Sequence, residues 1–479
     1  MLCASMRHER TCSCVLLLSL LCTGSLFAQT AEQRTSTYFD SIRKNPLLLE
    51  AFVREMPKGG DLHNHLSGAV YAEHYIEMAA ANKLCVDKKT MSFAQPPCDS
   101  GNGLISAADL EKDSVLDREL IDALSMRAFQ PREYESGEDH FFDTFGKFRL
   151  VSSVHTGEML AEVASRAGHQ NQSYLELTLG LDRISAALGT KVGWDDDFNR
   201  LAGKLAEAGI NDAVAQMKVA LDRAEAQKDE ILGCRSGHPD LGCKVSIRYI
   251  YEVYRGTPRE QVFAETMAGF LIAHEGDRRF VSVNPVMPED GYTSMNDYEL
   301  HMKIFAYFHK LHPGVHLTMH AGELAPGLVP PQGLRFHIRE AIEIAGAERI
   351  GHGVDVMQED RPLELLKEMA QKHVAVEICL TSNDLILGVS GDRHPFPVYQ
   401  KYAVPVVIAT DDEGVSRSDP THEYLRAAQT YGLTYAELKK LVKNSIQYSF
   451  AEPELKAKLL RDLDEGFREF EKEVQYRPQ

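Results

Sequence analysis

The chain has 479 residues, enough for a large core, and carries 70 acidic against 52 basic side chains, a formal charge of −18. That balance argues against a surface built for nucleic acid or an anionic membrane, which needs clustered Lys and Arg. Beyond residue 28 no stretch is apolar and long enough to span a bilayer.

In chain order, a polar segment with Arg7 and Arg10 precedes an apolar run from Val15 to Ala28. A basic start, a short apolar run and a small-residue exit predict a cleavable signal peptide over 1–28, with export to the periplasm or the medium. Cys22 raises a lipid anchor as the lesser alternative, because Leu21 stands where a small residue is expected. Residues 29–479 then read as one elaborated domain, since no Gly/Ser/Pro linker divides them. Five cysteines remain there: Cys85, Cys98, Cys234, Cys243 and Cys379. Cys85 with Cys98 and Cys234 with Cys243 suggest local disulfides, which an oxidising compartment permits; unpaired thiols are the alternative. Cys379, in an apolar run, reads as a buried free thiol.

Short apolar or β-branched runs predict eight strands, at 60–66, 173–178, 244–251, 280–286, 316–320, 349–353, 375–379 and 405–410. Between them, apolar residues at three- and four-residue spacing predict helices, as at 196–228, 259–274, 296–312 and 333–345. Strands alternating with helices imply parallel units, and eight of them a (β/α)8 TIM barrel. Such a barrel needs only about 250 residues. The remainder is assigned to an insertion at about 85–137 and to extra helices at the C-terminal end.

Five segments put metal-binding or acid/base residues at predicted strand exits. In Asp61-Leu62-His63-Asn64-His65-Leu66, His63 and His65 are two apart and face the same way on a strand. His320 ends the next such strand, and Ala321-Gly322 turns the chain so that Glu323 comes back toward it. His316 lies about 13 Å from His320 along an extended strand and belongs to the barrel wall. His352 stands between Gly351 and Gly353, and the apolar strand with Glu377 ends in Thr381-Ser382-Asn383. Asp411-Asp412-Glu413 follows a buried strand; Asp411 is a natural metal ligand, Asp412 a hydrogen-bond acceptor for substrate, and Glu413 fits a solvated turn. Together, three histidines and an aspartate form a mononuclear metal site at the C-terminal mouth of the barrel.

In the order and spacing of His63-x-His65, His320-Ala-Gly-Glu323, Gly351-His352-Gly353, Thr381-Ser382-Asn383 and Asp411-Asp412, the chain resembles the adenosine deaminase family. The resemblance implies one Zn2+ per chain on His63, His65, His320 and Asp411, with Glu323 and His352 catalytic. Glu323 would protonate purine N1. His352 would orient the attacking water, help deprotonate it and stabilise the developing charge. Asp412 would accept a hydrogen bond at N7. The implied reaction is hydrolytic deamination of adenosine or 2′-deoxyadenosine, a small purine nucleoside, to the inosine product. Three departures touch the substrate end. Ser67 stands where many members carry an acid for the 5′-hydroxyl, Met287 stands in a glycine position, and Leu380 replaces the proline of Cys-Pro-Thr-Ser-Asn. Ser67 and Met287 motivate an alternative, the same chemistry on adenine or a 5′-modified adenosine. Two others are a non-catalytic extracellular nucleoside-binding protein, against which every chemical position is filled, and a different amidohydrolase reaction, for which no bridging lysine stands at a strand exit.

Overall fold

The computed structural model describes residues 29–182 and 184–474; the expected signal peptide and Cys22 lie outside these residues. Eight parallel strands form one sheet in chain order: β1 Gly59–His65, β2 Gln172–Leu179, β3 Ser246–Tyr254, β4 Phe280–Val286, β5 His316–Ala321, β6 Arg349–His352, β7 Ala375–Ile378 and β8 Val406–Ile408. All eight expected strands are present. Most are short, mainly apolar runs largely buried on both faces, the pattern of a parallel sheet covered by helices, whereas β1 is polar yet fully buried.

The barrel closes between its last and first strands just beyond the end of β8. Asp411 N–H donates to the His63 carbonyl at 2.9 Å, and His65 N–H to the Asp411 carbonyl at 3.0 Å. Three candidate metal ligands therefore also make the seam. Asp61 reinforces it from β1, its carboxylate accepting from Thr410 Oγ1 at 2.6 Å.

The lower half of the barrel is filled by a buried charged hub. Arg349 on β6 meets Glu176 Oε2 on β2 at 2.5 Å and Glu377 Oε1 on β7 at 2.6 Å. Its guanidinium lies 3.8 Å from the Phe450 ring centroid. His316 stacks on the same ring at 4.5 Å and pairs with Glu348 at 2.8 Å, on the barrel wall as expected and remote from the site.

Two expected helices differ in detail. The stretch 196–228 is two helices, Phe198–Ala208 and Ile210–Ile231, because Gly209 takes φ +103° and turns the chain left-handed. The stretch 333–345 breaks into short pieces that end at Gly346, again with φ above zero. The 85–137 insertion holds a small antiparallel sheet of Cys85–Asp87, Ser92–Ala94 and Leu104–Ser106, and the helix Ser114–Ala123. Disulfides join Cys85 to Cys98 and Cys234 to Cys243, and Cys379 is a buried free thiol.

Helices outside the barrel repeat come from both ends of the described chain. Ala31–Ile42 starts on a Thr30 capping box and Pro46–Glu55 on an Asn45 cap followed by proline. They meet the C-terminal helices Tyr435–Gln447 and Pro453–Val474 through Phe39, Phe52, Tyr435 and Phe470. Phe52 lies 5.0 to 5.8 Å from the other three rings, in edge-on contacts. Among the described residues no helix is long and apolar enough to cross a membrane.

Candidate metal and deaminase site

His63 and His65 leave the end of β1, His320 the end of β5, and Asp411 the turn after β8, so four candidate ligands arrive from the C-terminal ends of the strands. His65 Nε2 lies 3.2 Å from His320 Nε2 and 3.4 Å from Asp411 Oδ1, and His63 Nε2 lies 3.2 Å from Asp411 Oδ1. Zinc bonds of 2.0–2.1 Å give a tetrahedron with edges of about 3.3–3.4 Å. The observed spacings match that edge. His63 Nε2 is buried without a hydrogen-bond partner, a costly state that a bound cation relieves. The residues present therefore fit a divalent metal.

The ligands are held from behind. Glu377 Oε2 accepts from His63 Nδ1 at 2.7 Å, and Asn284 Oδ1 accepts from His320 Nδ1 at 3.0 Å. Both rings thus turn a bare Nε2 toward the centre, the arrangement that orients metal-bound imidazoles. Glu377 is itself fixed by Arg349 and by Thr318 Oγ1 at 2.8 Å. Burial is countered by Arg349 and by the His63 hydrogen bond, which together hold the Glu377 carboxyl down at about 2. Ser382 Oγ donates to Asp411 Oδ2 at 2.5 Å. Asp411 and His352 have φ of +63° and +66°, strain of the kind functional sites retain.

His352 on β6 joins the cluster: its ligand atom and those of His63, His320 and Asp411 lie within 4.8 Å of one another, and His65, Asp411 and Asp412 form an overlapping group. His352 Nε2 is 3.5 Å from Glu323 Oε1. Burial, reinforced by Asp411 and Glu289, pushes the Glu323 carboxyl well above the usual carboxylate range, the direction that favours a proton-donating acid. The turn that presents Glu323 is clamped by Glu289, whose carboxylate accepts from Gly322 N–H at 3.0 Å and Glu323 N–H at 2.8 Å. His337 and Arg255 hold Glu289 in turn.

Asp412 is buried, with Oδ1 unpaired. Burial and the adjacent Asp411 raise it well above the carboxylate range. The chemistry of N7 itself, apart from any shift, corrects the expectation that Asp412 accepts there. N7 of a purine nucleoside has a lone pair and no hydrogen, so a hydrogen bond between the two requires the Asp412 carboxyl to donate. Glu413 corrects a second expectation. It is buried, not solvated, and binds Arg166 Nε at 3.1 Å and Gln170 Nε2 at 3.0 Å.

Ser67 lies in the short helix Leu66–Ala69, half-buried, its carbonyl accepting from Tyr75 O–H at 2.6 Å. Met287 follows β4 with φ +86° and is 39% exposed, an unusual backbone for a non-glycine residue. Sequence reasoning gave no role to Glu377, to Asn284, to Glu289 or to His394, whose Nε2 lies 3.0 Å from Asn383 Oδ1 behind His352. An acid inside the apolar run Ala375-Val376-Glu377-Ile378 was a visible signal for the first; the other three act through contacts distant in sequence.

A family model described as adenosine deaminase matches residues 204–466, more than half of the chain and including His320, Glu323, His352, Asp411 and Asp412. An adenosine deaminase of Clostridium perfringens is 36% identical over 147 residues, 30% of this chain and 41% of the relative. The chain thus spans about two fifths of the length of such curated relatives. Three solved structures share the fold, each under 25% identical. The ADAL–IMP complex has TM-score 0.57 and 19% identity, over 88% of this chain and 99% of that one. The adenine deaminase of Arthrobacter aurescens has TM-score 0.56 and 19% identity, over 86% and 99%. A Burkhoderia amidohydrolase with bound Zn has TM-score 0.55 and 18% identity, over 88% and 94%. By that model match, and with the motif residues gathered at one barrel mouth, the chain belongs to the adenosine deaminase family.

Proposed function

We propose that the protein deaminates adenosine or 2′-deoxyadenosine hydrolytically, giving the inosine product and ammonia, with one zinc ion per chain. The observation that carries this reading is the convergence of His63, His65, His320 and Asp411, linked by ligand-atom spacings of 3.2 to 3.4 Å, near Glu323, whose carboxyl is pushed up by burial. Zinc suits a site of imidazoles and one carboxylate, and the amidohydrolase neighbour binds it. When bound, the ion supplies Lewis acidity that brings the pKa of water down to about 7.

The side chains manage the rest. Glu323 gives its proton to N1, which draws electron density from C6. The oxygen of water forms a bond to C6, and the proton that water gives up restores Glu323. Breaking the C6–N6 bond then releases ammonia, which takes the hydrogen of the new hydroxyl as C6 becomes a carbonyl. His352 lies against this chemistry and stabilises charge on the added oxygen, while Asp412 donates to N7 and fixes the ring.

A second reading keeps the chemistry and changes the substrate to adenine or a 5′-modified adenosine. Ser67, without a carboxylate for a 5′-hydroxyl, favours it, and the neighbours include an adenine deaminase and an IMP complex. The two local disulfides support export from the cytoplasm as part of the proposal. Glu323→Gln tests the mechanism: it should keep the fold and the metal and lose at least 10²-fold in kcat. Near-normal turnover by that variant would contradict the proton-transfer role.

A further inference from the structure

Behind His352 runs a chain of hydrogen bonds whose directions can be read from one end to the other. It starts at the backbone N–H of Phe396, which can only donate, and which meets His394 Nδ1 at 3.1 Å. A His394 ring that accepts at Nδ1 carries its hydrogen on Nε2. Burial, helped by Arg426, takes His394 down to about 4, so the ring is neutral at ordinary pH. Its Nε2–H donates to Asn383 Oδ1 at 3.0 Å. The Asn383 amide is thereby fixed, with its NH2 toward His352 Nδ1 at 2.9 Å. His394, Asn383 and His352 are 2%, 0% and 0% exposed, so water does not compete for these contacts. A His352 ring that accepts at Nδ1 carries its hydrogen on Nε2. That nitrogen is buried, has no hydrogen-bond partner among the described residues, and faces Glu323 and the ligand cluster.

We propose that His394 is a positioning residue which, through Asn383, locks His352 in the tautomer that presents an N–H to the reaction centre. His352 then works by donating a hydrogen bond to the oxygen that adds to C6, not by taking the proton from water. The same tautomer has no lone pair to offer at Nε2. That leaves His65 as the third imidazole ligand, although His352 Nε2 lies inside the cluster. The inference rests on the deaminase reading for its chemical role, but the tautomer is a property of the protein without substrate.

The first measurement is the 15N spectrum of histidine-labelled full-length protein, metal-free and zinc-loaded, with the His352 signals assigned by their absence in His352→Gln. The expected result is a protonated Nε2 and a bare Nδ1. A hydrogen on Nδ1 would overturn the proposal. Asn383→Asp is nearly isosteric, but its carboxylate can only accept, from both rings. It should move the His352 hydrogen to Nδ1 and lower kcat on the order of 10²- to 10⁴-fold, the scale of a wrong-tautomer histidine, with KM and bound metal within about twofold. Wild-type kcat in this variant would also overturn the proposal. Should that variant not fold, His394→Leu and His394→Gln supply the comparison. The leucine should lower kcat and blur the tautomer, and the glutamine, whose amide can donate to Asn383, should recover most of both. Equal kcat in the two would count against His394. A wild-type protein with the expected tautomer and no activity on any purine would sink the deaminase reading alone.

Discussion

Gly68 lies where Asp412 needs room, and Gly68→Ala tests what Asp412 does. A β-carbon there would sit 1.6 Å from Asp412 Oδ1, 2.3 Å from its Cγ and 2.6 Å from its Cβ. The conflict reaches the Cβ, so rotating the carboxyl is not enough, and the group must retreat by about 2 Å to regain ordinary contact. Displacements of 1 Å in a positioned group can cost about 10²-fold in rate. Leaving the buried N7 acceptor without its donor costs roughly 1–3 kcal/mol, which corresponds to about 5- to 150-fold in kcat/KM. Overpacking adds roughly 1–3 kcal/mol of destabilisation. The assay is kcat/KM on adenosine beside bound metal and Tm, and the account expects the first to fall within that range while metal stays bound. Asp412→Asn should retain more activity than Asp412→Ala, since an amide can still donate to N7. Unchanged kcat/KM in Gly68→Ala, with a shifted Asp412, would refute the substrate-binding role.

Three other outcomes follow from buried charges. Glu377→Gln removes the carboxylate behind His63 and should weaken metal affinity about 10- to 100-fold, measured by competition with a chromophoric chelator. Arg349→Met leaves Glu176 and Glu377 unpaired in the barrel interior and should destabilise the fold by about 3–5 kcal/mol in denaturant titration. Glu265 accepts from Tyr254 N–H at 2.8 Å, and burial pushes its carboxyl up to about 8. Because its folded value is raised, its contribution is fully present below about 4.5 and is lost as pH rises toward 8, at ~1.4 kcal/mol per pH unit. Glu265→Gln should therefore match the parent at pH 4.5 and exceed it in stability at pH 8.5. Equal stability at both would contradict the assignment.

The barrel was legible because buried parallel strands are short apolar runs, and the runs at 280–286 and 316–320 coincide with β4 and β5 almost residue for residue. The ligands were legible for a related reason: polar residues stand at the exits of apolar strands, where little but function keeps them. Local sequence was silent on orientation and protonation. Burial and the neighbouring Asp411 raise the Asp412 carboxyl, an effect of the folded surroundings that the acidic run itself does not announce. Glu413, next in the chain, is buried because Arg166, 247 positions away, reaches it. The clamp of Glu289 on Gly322 and Glu323, and the run from Phe396 to His352, join segments that no periodicity links. Gly209 was visible as a residue, but the helical spacing on either side concealed the break it makes.

The measurement that bears most directly on the central claim is the ultraviolet absorbance change when purified protein meets adenosine, before metal removal by a chelator, after it, and after zinc is restored. The account predicts conversion to inosine that stops on removal and returns with zinc, with adenine and a 5′-modified adenosine run alongside to define the substrate. Zinc-loaded protein that binds one ion per chain and leaves all three compounds unchanged would contradict it.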